Sequence, residues 1–284
     1  MPLNPALEGK LYPAAEYKVT AEAIHKYAAA TNETDARFTG RDPVAPPAFP
    51  IAVAGENIRA VMTDPQLGVN LPRLVHSHES HNFNRVIRAG DVLTVESRLD
   101  NVRASEQGAE TFDIVTDLKA PGGEVAVFMV TTMLIRGRGG GRAKAAGDAE
   151  DEEVGEYLFE TTETIDEHQT FRYAEASGDH NKIHTDREFA RNSGFPGIIV
   201  HGMCTMAFAC RAVLASAAGG DPERLLNISV GFSRPVFPGQ ELTTRGWLQY
   251  WLKSNGEGLK AISFETLNPR GQAVLSEGVA EIAG

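Results

Sequence analysis

The chain has 284 residues, of which 42% are hydrophobic and 23% charged; that is enough for roughly two domains with a sizeable core and excludes a small stapled module. The formal net charge is −11 with no basic block, which argues against a nucleic-acid groove or an anionic membrane surface as partner. Two cysteines, Cys204 and Cys210, lie six apart in one apolar segment, where a helix turns them to different faces, so free thiols and a cytoplasmic location are expected.

Taken in chain order, Met1-Pro2-Leu3-Asn4-Pro5 carries neither a cationic start nor a continuous apolar run, so no secretory signal is expected. Val19-Thr20 opens a first helix that runs into Tyr27-Ala-Ala-Ala-Thr31-Asn32-Glu33. Further on come Ala45-Pro46-Pro47-Ala48-Phe49-Pro50 and the small residues Ala52, Ala54 and Gly55, which either leave room for a ligand or let helices approach. His76, His78 and His81 cluster, but His76 and His78 alternate as a strand presents them, and no thiolate or third ligand has metal-site spacing. Structural or solvated histidines are the expectation there.

The glycine-rich run Arg136–Arg142 and the acidic run Asp148–Glu153 cannot bury a core, and residues 138–154 read as a solvated linker. Beyond it, Ile165, Asp166 and Gln169 have the spacing of a staple and capping box opening a helix through Ala176. Ile198–Ala218 has about the length of a membrane span, but Gly202 breaks it and His201 and Arg211 interrupt it, so it reads as a helix buried inside a globular protein with no membrane span. Alternation then sets Leu226, Ile228, Val230 and Phe232 on the buried face of a strand. Strand-like runs at Leu242–Leu252, Leu259–Leu267 and Ala273–Ile282 follow, separated by turn signals at Ser254-Asn-Gly256 and Asn268-Pro-Arg-Gly271. Helices followed by an antiparallel meander make the fold α+β.

The chain also repeats itself. Tyr27–Glu33 is mirrored by Tyr173-Ala-Glu-Ala-Ser177-Gly178-Asp179, and Phe83-Asn-Arg85 through Gly90 to Thr94 by Phe232-Ser-Arg234 through Gly239 to Thr243. Gly122–Val125 likewise pairs with Gly271–Val274. Two copies of one design follow: residues 1–137, a linker at 138–154, and residues 155–284.

The informative stretch is Ser177-Gly178-Asp179-His180-Asn181-Lys182-Ile183-His184, followed by Gly194-Phe195-Pro196-Gly197 and His201-Gly202-Met203. It resembles the MaoC-like (R)-specific enoyl-CoA hydratases and (3R)-hydroxyacyl thioester dehydratases, the hydratase 2 family. The resemblance implies a double hot-dog fold, in which antiparallel sheets each wrap a long central helix, and assembly as a homodimer. It further implies a hydro-lyase that reversibly hydrates trans-2-enoyl thioesters to (R)-3-hydroxyacyl thioesters, with Asp179 and His184 as the acid–base pair around one water. Asn181 then fixes the site, and the Gly202 backbone N–H meets the developing oxyanion. Gly178, Phe195, His201, Arg234 and Lys182 are the expected substrate-side residues, Lys182 standing where the family has proline. No metal or cofactor is implied; coenzyme A or an acyl carrier enters only as part of the substrate.

Under the repeat, Glu33 falls where Asp179 does and Phe38 where His184 does. A phenyl ring cannot relay protons, so the first half is expected to be non-catalytic. Ala45-Pro46-Pro47-Ala48-Phe49-Pro50, and later Arg85 with Ala89-Gly90-Asp91, resemble the non-catalytic subunit of heterodimeric (3R)-hydroxyacyl-carrier-protein dehydratases, which implies that the first half binds the acyl chain. The rival readings are a hot-dog acyl-CoA thioesterase, which would release thiol, and a non-catalytic acyl-thioester binding protein, which would lack the pair in both halves.

Overall fold

The structure is a computed structural model describing residues 2–106, 108–137, 156–254 and 257–284, with the backbone alone over 251–254 and at 257. The expected linker at 138–154 and the central Asn-Gly of the turn at 254–256 lie outside the described residues.

Each half begins with an edge strand and a short helix. In the first, β1 (Ala15–Lys18) leads to α1 (Ala21–Ala30), which starts as expected because the Thr20 hydroxyl accepts from the Ala23 N–H. A four-residue helix α2 (Ala36–Thr39) follows, and then α3 (Pro50–Met62), with proline at its first position, where no N–H is needed. Strands β2 (Leu74–Phe83), β3 (Val92–Arg103), β4 (Glu110–Lys119) and β5 (Val125–Ile135) complete the unit.

The second half repeats this order with β6 (Phe159–Thr164), α4 (Gln169–Ser177), α5 (Arg187–Asn192), α6 (Gly202–Ala217) and strands β7 (Leu225–Phe232), β8 (Glu241–Ser254), β9 (Glu257–Leu267) and β10 (Ala273–Ala283). The three last strands match the expected runs to within a few residues. Asn268 accepts from the N–H groups of Arg270 and Gln272, and Gly271 takes φ 70°, so the sequence signal and the observed turn coincide.

The strand order is β1-β3-β4-β5-β2-β7-β10-β9-β8-β6, a palindrome about the β2–β7 seam. There the two copies pair antiparallel, with Ser80 opposite Ser229 and Asn82 opposite Asn227. The two expected sheets therefore join edge to edge, which satisfies the hydrogen-bonding edges that each would otherwise expose. α3 and α6 are the two central helices of this α+β fold. α6 is buried on nearly every side, from Met206 and Phe208 to Val213 and Leu214, each such side chain contributing about 1.5–3 kcal/mol on transfer from water. No helix among the described residues is long and apolar enough to cross a membrane.

Three local expectations are corrected. α4 begins at Gln169, with His168 rather than Asp166 at the cap position and no side-chain cap bond; Asp166 instead accepts from the His168 N–H and pairs with Arg172. Gln169 is fully buried because its side chain is drawn across to the Ala30 carbonyl of α1. Leu226 is exposed and Leu225 buried, since a register shift between β7 and β10 moves the burial phase by one residue. The apolar segment becomes helical only at Gly202, because Val200 is still extended and bonded to Val236. At Gly55 α3 passes the end of α4, where an added Cβ would make an ordinary van der Waals contact with the Ser177 carbonyl oxygen at 3.8 Å.

Candidate active site

α4 ends on Gly178 in the left-handed conformation, φ 75°, which turns the chain sharply at little cost for glycine. The Asp179 carboxylate accepts from the Asn181 N–H at 3.1 Å, and Asn181 Oδ1 accepts from the Ile183 N–H at 3.3 Å, opening a 3-10 turn over Lys182–His184. Two consecutive side-chain turns thus fold the segment back on itself. His184 Nε2 comes to lie 4.0 Å from Asp179 Oδ2. The His184 side chain is nearly buried while that of Asp179 is 54% exposed, so the pair faces solvent from the carboxylate side.

The proton positions follow from the partners. His184 Nδ1 lies 2.8 Å from the Ile199 carbonyl, which only accepts, so Nδ1 carries the proton and the neutral ring points the Nε2 lone pair at the carboxylate. Burial, outweighing the attraction of Asp179, holds the His184 pKa below its usual value. Behind it His201 stacks at 3.7 Å, with Nε2 on the Asp179 carbonyl at 3.0 Å and Nδ1 on the Thr170 hydroxyl at 3.1 Å. The carbonyl again requires the proton on Nε2, so the Nδ1 lone pair faces the Thr170 hydroxyl, whose one proton it shares with the His184 carbonyl at 3.0 Å. Burial and then the neighbouring His184 push the His201 pKa well down. For Asp179, burial acts upward but is overcome by His201, His184, the Asn181 N–H and Arg59, leaving its carboxyl below the usual range. The result is a carboxylate and an imidazole nitrogen, both acceptors, facing one gap.

Asp179, His184 and His201 lie close enough to suggest a metal triad. Both His201 nitrogens are occupied, however, and its ring lies parallel to that of His184 at an interplanar angle of 23°, so the lone pairs do not converge on one point. Two ligands remain, fewer than a structural or catalytic zinc requires.

Gly202 is the first residue of α6, where the helix itself does not use the N–H. An added Cβ there would lie 3.0 Å from two ring atoms of Phe232, so glycine is needed for packing as well. The remaining expected residues spread out. Lys182 is exposed on the 3-10 turn, Phe195 is half-buried just after α5 with its N–H on the Ala190 carbonyl, and Arg234 donates to the Ala273 carbonyl. His201, expected on the substrate side, is 2% exposed and hydrogen-bonded on both ring nitrogens, and it backs His184. His180 is exposed and lies 3.7 Å from Glu175, apart from the pair.

Thr170, the Ile199 carbonyl and Arg59, which donates to the Gly178 carbonyl at 2.8 Å, were not singled out by the sequence reading. A backbone carbonyl leaves no residue-type signal, and Arg59 lies outside the segments that the internal repeat matches.

At the equivalent positions the first half has Glu33 and Phe38 in place of such a pair. Glu33 accepts from the N–H groups of Thr34 and Asp35, and Phe38 is buried. Its histidine cluster is instead built on Glu79, wholly buried in β2 between His81 at 2.8 Å and His76 at 2.9 Å. Burial alone would raise the Glu79 carboxyl, but the two imidazoles bring it down to about 2. His76 packs on Phe232 at 4.6 Å, the ring that rests against Gly202.

Two family descriptions match the chain: "MaoC like domain" over residues 149–266 and "FAS1-like, dehydratase domain region" over residues 6–120. Among curated relatives, the chain is 41% identical over 108 residues to "Enoyl-CoA hydratase 2, peroxisomal" of Arabidopsis thaliana, covering 38% of this chain and 32% of that protein. It is 29% identical over 186 residues to "3-hydroxyacyl-thioester dehydratase Y" of Mycobacterium tuberculosis, covering 63% of each. The chain thus spans less than two thirds of both relatives. A solved "MaoC-like dehydratase" superposes with a TM-score of 0.83 at 21% identity, covering 98% of both chains, a likeness of fold.

Proposed function

The chain belongs to the MaoC-like dehydratase family, and from that premise we propose that it reversibly hydrates trans-2-enoyl thioesters to (R)-3-hydroxyacyl thioesters. One observation carries this reading: two proton acceptors, Asp179 Oδ2 and His184 Nε2, face each other across 4.0 Å. A water between them can donate one hydrogen to each. Addition then requires its oxygen to attack the β-carbon as one of the two groups takes a proton, and the α-carbon to receive a proton in return, each transfer contributing on the order of 10²–10⁴ in rate. Electron density displaced onto the thioester oxygen would be met by the Gly202 N–H at the start of α6, where the helix dipole favours negative charge.

In this reading Asn181 fixes the loop, His201 and Thr170 hold the His184 ring, and Gly178, Phe195, Arg234 and Lys182 border the substrate. Residues 155–284 carry the chemistry, while 1–137 hold the acyl chain. Proton transfer alone suffices, so no metal or redox cofactor takes part, and coenzyme A or an acyl carrier belongs to the substrate. The two free cysteines in α6 support a cytoplasmic location, and assembly is as a homodimer, checked by light scattering.

The test follows enoyl-thioester absorbance with crotonyl-CoA and a longer trans-2-enoyl-CoA, with free thiol read in parallel. Loss of the enoyl band without thiol release, abolished in Asp179→Ala and His184→Ala, is the expected result. Thiol release would establish a thioesterase instead, and silence in both channels a binding protein.

A further inference from the structure

The internal repeat relates two arginines. Arg59 and Arg211 each stand nine residues after the first residue of their central helix, Pro50 in α3 and Gly202 in α6. Each reaches into the other half. Arg59 donates to the carbonyl of Gly178 at 2.8 Å, and Arg211 donates to the carbonyl of Asn32. Gly178 and Asn32 are equivalent under the repeat, and both are left-handed, with φ 75° and 54°. Each carbonyl directly precedes the residue at the acid position: Asp179 in the second half, Glu33 in the first.

The symmetry then breaks in a way that separates the two arginines. Arg211 forms an ion pair with Glu163 of β6. Glu163 lies opposite Leu242, and the corresponding partner of Leu93 in β1 is Tyr17. Arg59 therefore has no carboxylate at the matching position, and it makes no ion pair among the described residues. Its charge is left to act on Asp179, and one turn earlier, at Gly55, α3 passes within van der Waals reach of the Ser177 carbonyl at the end of α4.

We propose that Arg59, supplied by the half without the acid–base pair, is a positioning residue of the active site that fastens the Gly178–Asp179 loop, while Arg211 performs the same fastening at the chemically vacant counterpart. The role rests on the reading of Asp179 and His184 as the acid–base pair. It makes the first half part of the active site by geometry, independently of any contact with the acyl chain. Leaving the Gly178 carbonyl unanchored frees the left-handed turn that sets the 4.0 Å gap, and removing the guanidinium takes away a positive charge beside a carboxylate. His184, His201, the Asn181 N–H and Arg59 are the groups acting on that carboxylate.

The test uses the full chain with Arg59→Met, Arg59→Lys and Arg211→Met. The Asp179 carboxyl is titrated by carbon NMR of aspartate-labelled protein, with Asp179→Asn identifying its resonance, and amide hydrogen exchange is followed over residues 178–184. Arg59→Met should raise the Asp179 midpoint by about half a pH unit and speed exchange in the loop roughly threefold or more. Arg59→Lys should restore the midpoint, and Arg211→Met should leave Asp179 unmoved. Wild-type titration and exchange in Arg59→Met would overturn the proposal, as would an equal displacement of Asp179 by Arg211→Met. Neither readout needs turnover, so failure to hydrate an enoyl thioester would remove the hydratase reading and leave the clamp to be decided by these measurements.

Discussion

Replacing Glu79 by Gln tests the most deeply buried carboxylate among the described residues. Glu79 sits on β2 opposite Val230 of β7, with no exposed surface, and its two oxygens accept from His81 and His76 at 2.8 and 2.9 Å. Its carboxyl is held at about 2 against an ordinary 4.5, a difference that corresponds to roughly 3 kcal/mol of stability at neutral pH. This agrees in size with the 3–5 kcal/mol typical of breaking a buried pair by removing one partner. For a chain of this length it should lower Tm by roughly 6–12 °C. The sign fixes the pH dependence. A depressed carboxylate stabilises fully above its unfolded value and loses that contribution as pH falls towards the folded one, so the gap between wild type and Glu79→Gln should be complete at pH 6–7 and narrow below about pH 4.5. Urea denaturation and calorimetry across that range measure it. A variant within about 1 kcal/mol of wild type at pH 7 would refute the reasoning, as would a gap that stays constant as pH falls from 6 to 4. Because His76 packs on Phe232, which packs on Gly202, the variant should also lose activity at temperatures where it remains folded.

Gly202→Ala places a methyl 3.0 Å from the Phe232 ring and should cost about 1–3 kcal/mol by overpacking; pairing it with Phe232→Leu should recover most of the stability, as denaturant midpoints will show, whereas an undiminished loss in the double variant would place the strain elsewhere. His184 is kept neutral by burial, so protonation favours the unfolded chain, and its contribution to stability should be intact above about pH 6.5 and decline below it. Nitrogen NMR of the imidazoles should find His184 and His201 neutral at pH 6.5, and a charged His184 at that pH would contradict the assignment of its Nε2 lone pair to the gap.

Much of this architecture can be read along the chain because it depends on local chemistry. Alternating side chains and the Asn268–Gly271 turn specify β8 to β10, and continuous apolarity interrupted only by His201, Gly202 and Arg211 specifies a buried α6. The spacing of Asp179, Asn181 and His184 encodes its own turn, since each side-chain oxygen reaches a backbone N–H two residues ahead. The phase of β7 is not legible in its own alternation, because a register shift against β10 belongs to the pair of strands rather than to either one. The start of α4 escapes local spacing for a related reason, since Gln169 answers to a carbonyl in the other half instead of to its own helix end. Only the tertiary structure decided that the two sheets join through β2 and β7, that His201 backs His184, that Glu79 is buried between two histidines, and that Arg59 reaches Gly178. The seam pairs strands from different halves, Arg59 reaches a backbone carbonyl in the other half, His201 meets His184 only after the chain has passed through α5 and the loop behind it, and Glu79, although its histidines share its strand, is buried only when β2 packs between β5 and β7. The sequence determined which groups could do chemistry; the packing of two unequal copies determined which of them meet.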